Sequence, residues 1–163
     1  MGEIKTVELR HAGGFRFVGE SGSGFALEMD NEVGGTAVKP TELLVAAIGG
    51  CTGIDVVSIL AKKRQEVSSY SIRVEAEQRN SHPHAFVRID IVHRVEGPAV
   101  QAEAVRRSIE LSATRYCSVS TSLAAGVAEI HHRFVVVSPA GAEPVEGEAA
   151  VTGPAMALPP DQA

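Results

Sequence analysis

Two thiols carry whatever redox chemistry this chain can perform. Cys51 lies in the apolar run Leu43-Leu44-Val45-Ala46-Ala47-Ile48-Gly49-Gly50-Cys51-Thr52-Gly53-Ile54-Asp55-Val56-Val57, and Cys117 lies in Arg115-Tyr116-Cys117-Ser118-Val119-Ser120. Only a thiolate attacks a peroxide oxygen or a disulfide, so a reactive cysteine needs a neighbour that lowers its pKa. Cys51 is far from the start of its helix, and Asp55 one turn on opposes ionisation when charged. Its cation must therefore arrive through the fold, with Arg10 and Arg16 as candidates. Cys117 opens a predicted helix over residues 118–127, where the helix dipole favours an anion. Local chemistry thus marks Cys117 as the more acidic thiol. If the fold joins the two, one thiol can attack and the other can resolve.

The chain has 163 residues, 44% of them hydrophobic and 21% charged, with a formal net charge of −5. That length suits one domain with a real core. The negative balance offers no basic field for nucleic acid or an anionic membrane. Met1-Gly2-Glu3-Ile4-Lys5 is too polar to open a secretory signal. No apolar run is expected to span a bilayer, because Glu42 and Asp55 interrupt the flanks of the longest one. The expected compartment is the cytoplasm, where structural disulfides are rare. By count alone, two cysteines there are more often inert core residues than redox groups.

Alternating stretches Ile4–Arg10 and Phe15–Val18 flank Gly13-Gly14 and read as a hairpin. A turn at Gly22-Ser23-Gly24 leads to a short strand, Phe25–Met29, and then a Gly-rich loop. Pro40-Thr41-Glu42 opens a long helix running to about Arg64, with proline at the first position and an acid in the first turn. It is apolar almost all round, which predicts a central buried helix and, with little sheet to cover it, a dimer. Gly49 and Gly50 each cost about 1 kcal/mol in a helix interior, which predicts a second backbone packed close to them. Strands are expected at Tyr70–Glu77, Phe86–Val95 and Ala128–Val137, with helices at Gln101–Tyr116 and Ser118–Val127. The fold class is α+β. A domain over residues 1–137 is followed by a tail over 138–163, rich in Pro, Gly, Ala and Glu, that is expected to be disordered.

The run Pro40–Val57 around Cys51, together with Tyr116-Cys117-Ser118-Val119, resembles the OsmC/Ohr family, the osmotically inducible and organic-hydroperoxide-resistance proteins of bacteria. The likeness covers about residues 4 to 137. Its wording at Gly49-Gly50-Cys51-Thr52 and Asp55–Leu60 is closer to an uncharacterised bacterial branch than to the peroxidases themselves. The resemblance implies an OsmC-like fold, with antiparallel sheets around a long buried central helix in an intertwined homodimer. It also implies thiol peroxidase activity on organic hydroperoxides, restored by an external dithiol reductant. Cys51 would be the peroxidatic cysteine and Cys117 the resolving one, reversing the ranking from local chemistry. Glu42 and an arginine of the first hairpin, Arg16 with Arg10 as its rival, would assist. The peroxidases place a glutamate directly after the helix-opening proline; here that position is Thr41, and Glu42 follows one residue later. A non-catalytic dimer that senses redox state or binds a small ligand is the alternative.

Other polar groups read as structural. His82 and His84 flank Pro83 in a turn. His131 and His132 are neighbours on a strand and face opposite sides, so they cannot pair on one metal. Asp55 reads as a cap for neighbouring backbone. The Cys and His spacing matches no zinc pattern, and no phosphate-binding glycine loop is present, so no metal or cofactor is expected.

Overall fold

The computed structural model describes residues 2–32, 34–138 and 141–154. The chain divides into two compact units, Met1–Leu44 and Val45–Ala163. In the first, strands β1 (Val7–His11), β2 (Phe17–Ser21) and β3 (Ala26–Met29) form an antiparallel meander. Gly13 and Gly14 both adopt positive φ, as a tight turn between β1 and β2 requires. The predicted hairpin is therefore present.

Helix α1 runs from Pro40 to Lys62. Its first turn carries a capping contact, in which the Lys39 N–H donates to Glu42 Oε2 at 3.0 Å. Ile48, Gly49, Thr52, Gly53, Val56 and Leu60 are buried and form one stripe of the helix. Its other face is bare: Ile54 is 74% exposed and Val57 49%. In this chain alone α1 is thus half covered, not buried all round. By length and composition it could pass for a membrane-crossing helix, against the expectation from Glu42 and Asp55, although core helices pass the same test.

The glycines explain how α1 seats. A Cβ on Gly49 would lie 2.9 Å from Val74 Cγ2, and one on Gly53 would lie 2.6 Å from Ile72 Cδ1. Side chains, not the expected backbone, make the close approach. Gly50 faces open space, so Gly53 takes the role expected of it.

The second sheet has the order β4 (Ser69–Gln78), β5 (Phe86–Glu96), β6 (Glu129–Val137), β7 (Val145–Thr152). The β4–β5 hairpin is antiparallel, but β5 and β6 are parallel. A parallel pair needs a crossover, supplied here by α2 (Ala102–Leu111), a π turn (Ser112–Tyr116) and α3 (Ser118–Ala124). The single helix expected over Gln101–Tyr116 therefore changes pitch at Ser112.

The strand β7 corrects the expectation of a disordered tail from residue 138. It pairs antiparallel with β6 from Val136↔Val145 to Ile130↔Thr152. Its small residues hid it, since Gly and Ala have weak strand preference. Gly147 is needed, because a Cβ there would lie 2.8 Å from Phe134 Cζ. Residues 139–140 and 155–163 of the expected tail lie outside the described residues.

Two apolar clusters fill the second unit. One gathers Val56, Leu60, Val95, Val105, Ile109, Phe134 and Val136; the other gathers Ile48, Ile89, Ile91, Ala124, Val127 and Ile130. The buried histidines His93 and His132 belong to neither. Their rings stack 6.2 Å apart, and Tyr70 Oη lies 2.7 Å from His93 Nδ1. Burial raises the Tyr70 pKa, so the phenol keeps its proton and donates to the ring. His131, as expected, faces the other way, between Glu129 and Glu148.

Burial pushes the pKa of His93 down to about 3, with the His132 charge adding to it. Burial also lowers His132 to about 4, with His131 the smaller cause. The unfolded chain takes up these protons near pH 6.5 while the folded chain does not, so stability falls as pH drops below that value. Each histidine accounts for roughly 2 kcal/mol at pH 5 by linkage. His131, raised by Glu148 and Glu129, works in the opposite direction. Urea unfolding at pH 7.5 and pH 5 is expected to show His132→Gln losing less stability across that interval than the unsubstituted chain. Equal losses would mean that His132 is not held neutral.

Candidate functional site

Cys51 stands in the middle of α1, half-buried. Thr52, beside it, is fully buried, and Asp55 lies one turn on. The crossover brings up the second thiol. At the end of α2 the helix widens into the π turn, and the Cys117 N–H donates to the Ser112 carbonyl five residues back at 2.9 Å. Cys117 then turns extended, with φ −72° and ψ 100°, and caps α3. Its sulfur accepts the Ser120 N–H at 3.3 Å, the bond an N-cap serine or aspartate oxygen would usually make.

The Thr52 hydroxyl donates to Cys117 Sγ at 3.6 Å, tying α1 to the α3 cap. Ser112 Oγ donates to Asp55 Oδ2 at 2.9 Å, tying α1 to the π turn. Cys51 Sγ, Cys117 Sγ and an Asp55 oxygen all lie within 4.8 Å of one another. Both cysteines are free thiols.

Burial pushes the Cys117 thiol up to about 11, and the neighbouring Cys51 thiol adds to the rise. The Ser120 N–H and the Thr52 hydroxyl lower it by less. The expectation that the helix start would make Cys117 acidic is therefore not met: its pKa rises instead of falling. The Ser120 N–H and the Thr52 hydroxyl do not compensate for the desolvation of a sulfur with no exposure. No cation is among the groups acting on it.

The remaining candidates belong to the first unit. Glu42 is engaged at the start of α1 by the Lys39 N–H. Arg16 donates through Nε to Glu28 at 2.6 Å, an ion pair that also raises the arginine's pKa. Arg10 lies on β1 and makes no ion pair among the described residues. Asp55 bonds a side-chain hydroxyl and not the backbone expected of it. The sequence reading missed Thr52, Ser112 and Ser120. Ser120 alone had a local signal, three residues after a helix-opening cysteine.

The model of the family described as OsmC-like protein matches residues 33–132. The chain belongs to this family. An OsmC-like α+β fold with two sheets and three helices follows from that match and the elements above. Protein YhfA of Escherichia coli K12 is 41% identical over 125 residues, which cover 77% of this chain and 92% of YhfA. A hypothetical protein from Aquifex aeolicus is 29% identical with a TM-score of 0.76, covering 84% of this chain and 98% of that one. An organic hydroperoxide resistance protein from Elizabethkingia anophelis has a TM-score of 0.60 at 14% identity, covering 85% of this chain and 98% of that one. At that identity the likeness speaks for the OsmC-like fold alone.

The difference in burial predicts a difference in reactivity. Iodoacetamide added to the folded, reduced protein is expected to modify Cys51 at least tenfold faster than Cys117, read by peptide mass spectrometry. Equal rates would show that Cys117 is not enclosed as described.

Proposed function

We propose that this OsmC-like chain is a thiol-dependent peroxidase that reduces organic hydroperoxides, with Cys51 as the attacking and Cys117 as the resolving cysteine. The observation that carries this reading is the convergence of two free thiols from separate elements, one half-exposed and one enclosed. The Cys51 thiolate attacks the terminal peroxide oxygen and the O–O bond breaks. The alcohol leaves after taking up a proton, and Cys51 becomes a sulfenic acid. Cys117 sulfur then attacks the Cys51 sulfur. The departing hydroxide takes the Cys117 proton and leaves as water, and an S–S bond remains. An external dithiol reduces that bond and restores both thiols.

A Cys117 thiol raised to about 11 suits the second step better than the first. It holds its proton until the sulfenic acid forms beside it. The apolar run around Cys51 suits an alkyl peroxide better than hydrogen peroxide. Family resemblance alone assigns Glu42 and Arg16 a part in activating Cys51. We propose further that the bare face of α1, with Ile54 and Val57 exposed, is covered by a second copy of the chain.

Stopped-flow consumption of cumene hydroperoxide with a dithiol is expected to be lost in Cys51→Ser. In Cys117→Ser the first turnover is expected to survive, with the sulfenic acid of Cys51 accumulating to dimedone trapping. Turnover that is unaffected by Cys51→Ser would overturn the peroxidase reading. Ile54→Glu is expected to shift the protein towards monomer in sedimentation equilibrium. An unchanged mass would place the contact elsewhere.

A further inference from the structure

The same corner holds more than a thiol pair. Asp55 joins the two sulfurs within 4.8 Å, yet it makes no ion pair among the described residues. Three groups that can each become an anion therefore converge, and none of those acting on Cys117 is a cation. We infer that the reduced chain binds one thiophilic divalent cation of the Zn2+ class through Cys51, Asp55 and Cys117.

The donor set selects the class of metal. Two sulfurs favour zinc-like ions over magnesium or calcium, which require oxygen. Tetrahedral ligands around Zn2+, with bonds of about 2.0 to 2.3 Å, sit roughly 3.5 to 3.8 Å apart. The observed spacing is a small side-chain adjustment away. Three protein ligands with the fourth position open to water form a common zinc arrangement. The half-buried position of Cys51 leaves an approach to the site.

The surroundings are also those of a ligand set. Metal-bound groups are oriented by hydrogen bonds from a second layer. Here Ser112 Oγ holds one oxygen of Asp55, while the Ser120 N–H and the Thr52 hydroxyl point at Cys117 Sγ. All three are donors, the kind of group that stabilises a thiolate or carboxylate bound to a cation. Cys51 and Asp55 are one turn apart on α1, and Cys117 comes from within the crossover, between the π turn and α3. That separation is why the sequence spacing resembles no zinc motif. On binding, each thiol gives its proton to solvent. The cation is then held by two thiolates and one carboxylate, leaving one net negative charge. A metal-held pair has no free thiol, so metal and oxidant exclude one another.

Titration of the reduced, full-length protein with Co2+ tests this without any peroxide, so its outcome is separate from that of the peroxidase reading. The expected result is one Co2+ per chain, with sulfur-to-cobalt charge-transfer and tetrahedral ligand-field bands, displaced by Zn2+. Cys51→Ser and Cys117→Ser are expected to abolish the sulfur bands. Asp55→Asn is expected to weaken binding by at least tenfold, and Ser112→Ala by about tenfold to a hundredfold. Circular dichroism confirms that each variant is folded. Zn2+ is also expected to slow formation of the Cys51–Cys117 disulfide by diamide at least tenfold. Absence of sulfur-to-cobalt bands in the unsubstituted protein overturns the inference. So does Co2+ affinity unchanged in both Asp55→Asn and Ser112→Ala.

Discussion

Everything at the site depends on how closely α1 can approach β4. Gly49 and Gly53 lie on the buried stripe of the helix, where a Cβ would meet Val74 and Ile72. Glycine inside a helix costs about 1 kcal/mol relative to alanine. At this place the cost is offset by a helix lying directly on the side chains of the sheet. Thr52 is on the same stripe and is fully buried. Its hydroxyl can therefore reach Cys117 Sγ, while Cys51, one residue away around the helix, remains half-exposed. The asymmetry between the thiols begins with that rotation, before any electrostatic effect acts.

The other half of the site comes from a change of helical pitch. An α-helix continued through Ser112 would carry Cys117 onward on the same cylinder. The π turn lets the Cys117 N–H bond to the Ser112 carbonyl, and the chain leaves the helix there in an extended conformation. Ser112 thereby has two roles: its carbonyl closes the turn, and its hydroxyl holds Asp55. The parallel pairing of β5 and β6 gives the crossover its position, because the strand that follows α3 must return beside β5 in the same direction.

Much of this architecture could be read from local pattern. Gly13-Gly14, Pro40 and the alternation in Tyr70–Glu77 each signal their element within a few residues, and the structure contains each one. What could not be read depends on partners distant in sequence. The strand β7 has Gly147, Ala149 and Ala150 at its centre, and it is held by pairing with β6, where Phe134 packs close over Gly147. The face of α1 that is bare could not be distinguished from its buried face, because both are apolar. At the site, both cysteines were marked by sequence, but Thr52 and Ser112 were not, since a hydroxyl's partner is invisible until the crossover is folded.

Cys117 shows how a correct local rule can give the wrong direction. A helix N-terminus does favour an anion, and the Ser120 N–H does lower the thiol's pKa. These effects act through one bond and one short helix, whereas desolvation acts on the whole sulfur. With Cys117 fully buried, desolvation is the largest cause and the thiol is pushed up to about 11. The neighbouring Cys51 adds to the rise. Two thiols this close cannot both ionise without a compensating charge. Asp55 beside them sharpens the constraint, as a third group that prefers a cation. Oxidation to a disulfide or coordination of a metal each removes the conflict, the first by consuming both thiols and the second by supplying the missing charge.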